Sequence, residues 1–345
     1  MLAWAVSSPG PMETHPLERV ARTVPVPGPD EVLVKVLACG VCRTDLHLCE
    51  GDLAPRRPGT VPGHQVVGEV VGQGTSARRF PMGQLVGVAW LRSTCGSCEW
   101  CRSGAENLCP RSRYTGWDAD GGFAEYLTVP EAYAYLLDGT QEPERVAPLL
   151  CAGIIGYRSL RRANLPPGGR LGIYGFGSSA HITAQVAALQ GAEIYVLTRG
   201  ERNRRLAREL GAAYVGDADD RPPTPLDSAI VFAPAGELVL AALAAVRPGG
   251  TVAVAGIYLS DVPALSYQRH LFYERDLRSV TSNTRRDGEE LLRLAAHLPL
   301  KLQITTKSMS QVADALLDLK QDRTSGSLVV STGRAAPVRD VAHSR

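Results

Sequence analysis

The sequence has no long apolar run. Nothing in it approaches the roughly 20 consecutive hydrophobic residues that cross a bilayer, so no membrane span is expected. The opening stretch, Met1 to Pro9, has neither a basic start nor an extended apolar segment and does not read as a secretory signal. An excess of one charge is also missing. The 37 Lys and Arg against 35 Asp and Glu leave +2, which gives no long-range pull on nucleic acid or anionic lipid. The densest basic run, Arg202, Arg204 and Arg205, reads first as a solvated helix face. Internal repeats and low-complexity tracts are absent too. These absences leave an ordinary globular chain, 44% hydrophobic, expected in the cytoplasm with its thiols reduced. Eight cysteines in that setting suggest metal before disulfides.

At 345 residues the chain exceeds the size at which a single core keeps growing, so two domains are expected. Residues up to about 150 read as strand-rich. Glu31 to Val36 alternates, Gln65 to Val71 is β-branched, and Leu85 to Trp90 and Phe123 to Val129 complete an irregular all-β module. Beyond 150 the pattern changes to strand–helix alternation. Strands at Arg170–Tyr174, Glu193–Leu197, Asp227–Phe232 and Thr251–Ala255 are separated by helices at Ala180–Gln190, Glu201–Leu210 and Leu238–Val246. That alternation predicts a doubly wound parallel sheet. A helix from about Gly288, a connecting strand, a helix from Gln311 to Lys320 and a strand Ser327–Val330 return the chain to the first domain. The last dozen residues, polar after Pro337, are expected to fray.

Two motifs carry chemistry. Cys95, Cys98, Cys101 and Cys109 follow C-x2-C-x2-C-x7-C in a polar, glycine-rich loop. Four thiolates so close in sequence can wrap one tetrahedral Zn²⁺ and leave no position open, although thiolates also suit an iron–sulfur cluster. The loop reads as a structural zinc site. Gly175-Phe176-Gly177-Ser178-Ser179-Ala180 follows a strand and opens a helix. This G-x-G-x-x-A turn lets backbone N–H groups approach a pyrophosphate at the positive end of a helix. The next strand ends about 20 residues further on, where an NAD site places Asp or Glu on the ribose. Here Thr198 stands in that place and Arg199 follows, with Arg204 near. A missing carboxylate beside a guanidinium predicts NADP(H) over NAD(H).

The remaining pattern is Gly40-Val41-Cys42-Arg43-Thr44-Asp45-Leu46-His47, then Gly63-His64, then Cys151. Together with both motifs above it resembles the zinc-dependent medium-chain alcohol dehydrogenases over nearly the whole chain. The resemblance implies a GroES-like, irregular β-rich catalytic domain (1–152 and 287–345) and a Rossmann doubly wound cofactor domain (153–286). It implies two zinc ions per chain, the second held by Cys42, His64 and Cys151 with a fourth position open. The implied activity is reversible hydride transfer between primary alcohols or aldehydes and NADP(H) or NAD(H), by way of a zinc-bound alkoxide. By the same resemblance Thr44 accepts the alcohol proton and passes it through the cofactor ribose to His47, while Asp45 orients His64. Leu53, Trp90 and Trp117 would line the substrate pocket, and a homo-dimer or homo-tetramer built by sheet-edge pairing is expected.

Cys39 and Cys49 read as packing thiols, and His181 as structural or cofactor-adjacent. One departure stands out. The family carries Glu after the ligand His, and this chain has Gln65, which puts a Glu-linked ligand exchange in doubt. Two rival readings remain open: a polyol or amino-alcohol dehydrogenase of the same superfamily, and a non-catalytic regulatory protein binding zinc and nucleotide.

Overall fold

The computed structural model describes residues 1–333. The polar tail expected to fray lies outside these. Strands β1 (Leu2–Val6) and β2 (Leu17–Ala21) pair as a separate ribbon, and β3 (Glu31–Val41) runs directly into helix α1 (Arg43–Glu50). Next come β4 (Val66–Gln73) and β5 (Leu85–Val88), then the short pair β6 (Leu91–Ser93) and β7 (Arg113–Tyr114) around the helical turn α2 (Glu99–Arg102). Strands β8 (Tyr126–Pro130) and β9 (Ala134–Leu136) close this part, and α3 (Pro143–Val146) and α4 (Ala152–Ala163) lead out of it.

The alternating part follows as β10 (Arg170–Tyr174), α5 (Ser178–Leu189), β11 (Glu193–Leu197), α6 (Glu201–Glu209) and β12 (Tyr214–Gly216). It continues with β13 (Leu226–Val231), α7 (Glu237–Ala245), β14 (Val246–Val254), α8 (Tyr267–His270) and β15 (Asp276–Ser279). Helix α9 (Arg285–Ala295), β16 (Ile304–Ser308), α10 (Val312–Lys320) and β17 (Ser327–Ser331) complete the described chain.

Two sheets organise these elements. The first is mixed, in the order β16-β17-β3-β4-β5-β9 with β8 also on β3. Along β3 the alternation does what it should: Val32, Val34 and Val36 are buried while Lys35 faces out. The second sheet is parallel throughout, ordered β12-β11-β10-β13-β14-β15. Numbered from β10, that order is 3-2-1-4-5-6, the Rossmann arrangement. Its central strand β10 is apolar on both faces because helices cover both. Among the described residues no helix is long and apolar enough to cross a membrane.

Three buried clusters form the core. One fills the mixed sheet, one lies under α7 on one face of the parallel sheet, and the third spans both units. The spanning cluster joins Ala38, Val67 and Tyr135 to Ile154, Leu171 and Ile182. Strand β17 crosses back to pair antiparallel with β3, placing Val330 opposite Cys39 and Leu328 opposite Val41. The C-terminal strand of the described chain therefore lies beside the strand that leads to Cys42.

Element boundaries shift where glycine or a bend intervenes. Helix α5 starts at Ser178, two residues before the Ala180 start read from the pattern, because Gly177 in extended conformation serves as its N-cap. Phe123 and Ala124 stay outside β8; Ala124 makes an isolated bridge to Ala3 instead. Helix α7 ends at Ala245, and Val246 already belongs to β14. Helix α1 went unread because its eight residues mix polar and apolar groups without a long period.

Close strand packing makes one position a sensitive test. A Cβ on Gly68 in β4 would stand 2.4 Å from the Lys35 carbonyl and 2.5 Å from Val34 Cγ1. Gly68→Ala is expected to cost roughly 2–3 kcal/mol by overpacking, seen as a lower urea midpoint with an unchanged slope.

Candidate active site and metal centres

Residue Cys42 follows β3 in extended conformation and is the N-cap of α1. The helix brings Asp45 back toward it, and Asp45 Oδ2 accepts the Cys42 N–H at 2.9 Å. The other oxygen, Oδ1, accepts the Gly63 N–H at 2.9 Å and faces His64 Nδ1 at 3.1 Å. Asp45 is only 2% exposed. Burying a carboxylate costs several kcal/mol. Three charge-assisted bonds at about 1.5–3 kcal/mol each offset that cost, so the carboxylate stays and fixes its three partners. Gly63 has φ of +98°, and a Cβ there would meet the Phe123 backbone at 2.8 Å. Only glycine lets His64 sit where it does.

This framework gathers three donor atoms. Cys42 Sγ, a His64 ring nitrogen and Cys151 Sγ lie within 4.8 Å of one another. A tetrahedral zinc with bonds of about 2.3 Å to sulfur and about 2.0 Å to nitrogen spaces such donors about 3.5–3.8 Å apart. With Nδ1–H committed to Asp45, His64 has Nε2 left as a ligand atom, as metal-bound histidines commonly hold their other ring nitrogen on a carboxylate. The electrostatics favour a cation. The Cys42 thiol is pushed well below its ordinary value, chiefly by the hydrogen bond from Cys151 and then, against burial, by His64. The same bond and burial push Cys151 up. Burial opposes charge on His64, yet Asp45 and Cys42 together raise its pKa to about 10. The donor set fits a divalent metal with three protein ligands.

The other cysteines also converge. The four sulfurs of Cys95, Cys98, Cys101 and Cys109 lie within 4.8 Å of one another. Backbone N–H groups point at them: Cys98 N–H at Cys95 Sγ (3.3 Å) and Cys95 N–H at Cys109 Sγ (3.4 Å). Such bonds, first from Ser97 and then Cys98, lower the Cys95 thiol to about 5. The loop is tied to the body where Arg285, at the start of α9, forks onto both oxygens of Glu106. Cys39 and Cys49 are buried, and burial pushes both thiols up. His181 is buried as well. Its Nδ1 faces the Gly177 carbonyl at 3.2 Å, and its Nε2 lacks a partner among the described residues.

At the carboxyl edge of the parallel sheet, Gly175 turns the chain with φ of +86°, and a Cβ there would strike Ala233 at 2.9 Å. Gly177 differs: a Cβ there would meet nothing within 4 Å, so the space before the first turn of α5 is open. That opening and the helix N-terminus suit a pyrophosphate. Phe176 and Ala180 are buried beneath the turn, and Ser178 Oγ lies 2.6 Å from Ser327 Oγ on β17. Thr198 follows β11, its N–H on the Gly216 carbonyl. Arg199 beside it is exposed, while Arg204 is drawn onto Asp217 at 2.7 Å. Asp217, which sequence reasoning missed, is held below the usual carboxylate range by the Ala218 N–H, then by Arg204, with Arg199 contributing.

On the substrate side the Trp90 ring meets the His64 ring edge-on at 5.0 Å. Trp90 and Trp117 lie 6.0 Å apart with nearly parallel planes, and both stack on Tyr114, at 4.8 and 5.8 Å. The Arg56 guanidinium covers Trp117 at 3.7 Å. Leu53 packs against the same core cluster as Tyr114 and Trp117. Tyr114 was missed because a tyrosine in a two-residue strand gives no periodic signal. Gln65 is buried, its amide lying over Gly40, where a Cβ would stand 2.8 Å from it. Thr44 Oγ1 lies 3.7 Å from Cys42 Sγ. His47, one turn further along α1, faces Asp52 and Tyr258.

Residues 28–139 match the family model described as alcohol dehydrogenase GroES-like domain, and residues 180–297 match that described as zinc-binding dehydrogenase. The curated protein "Probable alcohol dehydrogenase AdhA" of Mycobacterium tuberculosis (strain CDC 1551 / Oshkosh) is 58% identical over 335 residues, covering 96% of this chain and 97% of its own. A cinnamyl alcohol dehydrogenase of Sorghum bicolor superposes with a TM-score of 0.86 at 26% identity, covering 96% of this chain and 97% of that one. A solved Sinorhizobium meliloti 1021 protein bound to NADP gives 0.83 at 28% identity, with 96% and 98% covered.

Asp45→Asn tests the framework. An amide must present its NH₂ to at least one of three N–H donors, so the Cys42–His64–Cys151 cluster loosens. Zinc affinity there, read by chelator competition, is expected to fall about 10- to 100-fold.

Proposed function

Because the chain belongs to the zinc-dependent medium-chain alcohol dehydrogenase family, we propose that it interconverts primary alcohols and aldehydes with NADP(H) at the Cys42–His64–Cys151 cluster. The observation that carries this reading is the convergence of those three donors on one point, oriented by buried Asp45. Zinc held there with an open position supplies a Lewis acid that favours loss of an alcohol proton or polarises a carbonyl. The nicotinamide supplies the hydride acceptor and donor.

The chain's own residues do the rest. Thr44, beside Cys42, takes the alcohol proton, and His47, partly exposed at the next turn of α1, releases it to water. Asp45 holds the His64 ring. The stacked rings of Trp90, Tyr114 and Trp117 extend from His64 outward as an aromatic wall, which favours uncharged and especially aromatic alcohols. Gln65 leaves the metal neighbourhood without the family's extra carboxylate. The four-cysteine loop holds a second zinc whose four thiolates leave no open position, a structural role.

Domain boundaries at 1–152 with 287–345, and 153–286, fit the two sheets, since every strand of the parallel sheet falls between Arg170 and Ser279. A homo-oligomer is supported by β15, which leaves the parallel sheet with an open edge where Leu277 is 42% exposed near exposed Phe272 and Tyr273. NADP(H) preference rests on Thr198 in place of a carboxylate and on Arg199, which forms no ion pair among the described residues.

Metal analysis tests the main reading. Wild type is expected to hold two zinc ions per chain and Cys42→Ala about one, with butanol and benzyl alcohol oxidation lost and the fold retained. Zinc-free turnover, or full activity in Cys42→Ala, would overturn it. For the cofactor, Arg199→Ala is expected to lower kcat/KM for NADP⁺ about 10- to 100-fold, the worth of a charged hydrogen bond, and to change NAD⁺ little. A wild-type preference for NAD⁺ would refute the assignment.

A further inference from the structure

His47 is held from two sides by residues that the reading above leaves without a role. The first is Asp52. Helix α1 ends at Gly51, and the Gly51 and Leu53 N–H groups both bond the His47 carbonyl at 3.0 Å, folding Asp52 back under the ring. Asp52 Oδ2 then lies 2.9 Å from His47 Nδ1. A neutral imidazole carries one proton. With that proton on Nδ1 and directed at a carboxylate, Nε2 is the atom left to accept another.

The second is Tyr258, which comes from the other sheet. It sits in the loop after β14, at the carboxyl edge of the parallel sheet, and its ring stacks on His47 at 4.8 Å with 27° between the planes. Its backbone has φ of +54°, a conformation a bulky L residue rarely adopts. Burial does not account for this, since Tyr258 is 62% exposed. What the strained backbone secures is the stack and the approach to Asp52. That carboxylate raises the phenol above its ordinary value, first by its charge, then with burial and a hydrogen bond. Outliers of this kind gather where a site is being held in place.

We propose that Asp52 and Tyr258 are positioning residues for His47, forming a clamp that joins the two units. Asp52 sets the tautomer and Tyr258 the ring plane. Because His47 and Asp52 belong to α1 and its C-terminal turn while Tyr258 belongs to the nucleotide-sheet loop, the clamp is complete only with the two units in this arrangement. Proton release is thereby tied to domain placement. The inference rests on the reading of His47 as proton outlet.

A double-mutant cycle with a spectroscopic arm tests it on the zinc- and cofactor-loaded enzyme. Asp52→Asn and Tyr258→Ala are each expected to lower kcat for alcohol oxidation about 10-fold, with KM for alcohol and cofactor changed less than about 2-fold. Tyr258→Phe, which keeps the stack, is expected to restore kcat to within about 3-fold of wild type. In a His47→Gln background, adding Asp52→Asn or Tyr258→Ala is expected to cost less than about 2-fold, since both act through the missing ring. In ¹⁵N-histidine spectra, His47 (assigned by its loss in His47→Gln) is expected as the Nδ1–H tautomer in wild type and as a mixture in Asp52→Asn. Losses that multiply in the His47→Gln background, or a tautomer unmoved by Asp52→Asn, would overturn the clamp. Undiminished turnover in His47→Gln alone would instead overturn the proton-outlet reading, and the tautomer ratio would still decide whether the ring is clamped.

Discussion

One buried carboxylate orders the centre of this protein. Asp45 accepts from the Cys42 and Gly63 amides and from the His64 ring, so a single side chain sets the end of β3, the turn before β4 and the orientation of an imidazole. Two of these partners carry proposed metal donors on their own residues, and the third immediately precedes one. The cost of desolvating Asp45 is met by bonds that also aim the donors. Cys151 joins from a different stretch, at the point where the chain leaves the mixed sheet and begins α4.

The rest of the architecture surrounds that point with contacts from two directions. From the mixed sheet come the indole platform and the helix carrying Thr44 and His47. From the parallel sheet come the open space at Gly177, the exposed guanidinium of Arg199 and the strained loop of Tyr258. The hydrophobic cluster that runs through both units, and the Ser178–Ser327 contact, hold the two sheets against each other. A cleft assembled this way places its chemistry on a seam, where small relative movements change which groups meet.

Much of this was legible in the residues. Period-two apolar runs and strand–helix alternation announced the two sheets, because both patterns arise from where side chains point along a backbone. The four-cysteine spacing carried its own geometry, since ligands that close in sequence converge with little help from tertiary structure. Cys42, His64 and Cys151 are spread over more than 100 residues, and only resemblance to a family linked them; no periodicity could have done so. Asp52 and Tyr258 lay beyond reach altogether. An exposed aspartate after a glycine, and a tyrosine in a loop, look like hundreds of others until the fold sets one at the edge and the other on the face of a single ring. Asp217 stayed hidden for the same reason: it pairs with Arg204 from 13 residues further on, just past the end of β12.

The return of β17 to β3 has a consequence for synthesis of the chain. The parallel sheet is assembled from one contiguous stretch and can form as soon as that stretch leaves the ribosome. The mixed sheet cannot, because β16 and β17 are the last of the described strands to emerge and one of them lies beside the strand leading to Cys42. Until then β3 keeps a bare edge, and the thiol-bearing half waits, unfinished, for about 290 residues of translation to pass, a long-range closure of the kind that slows folding and invites mispairing.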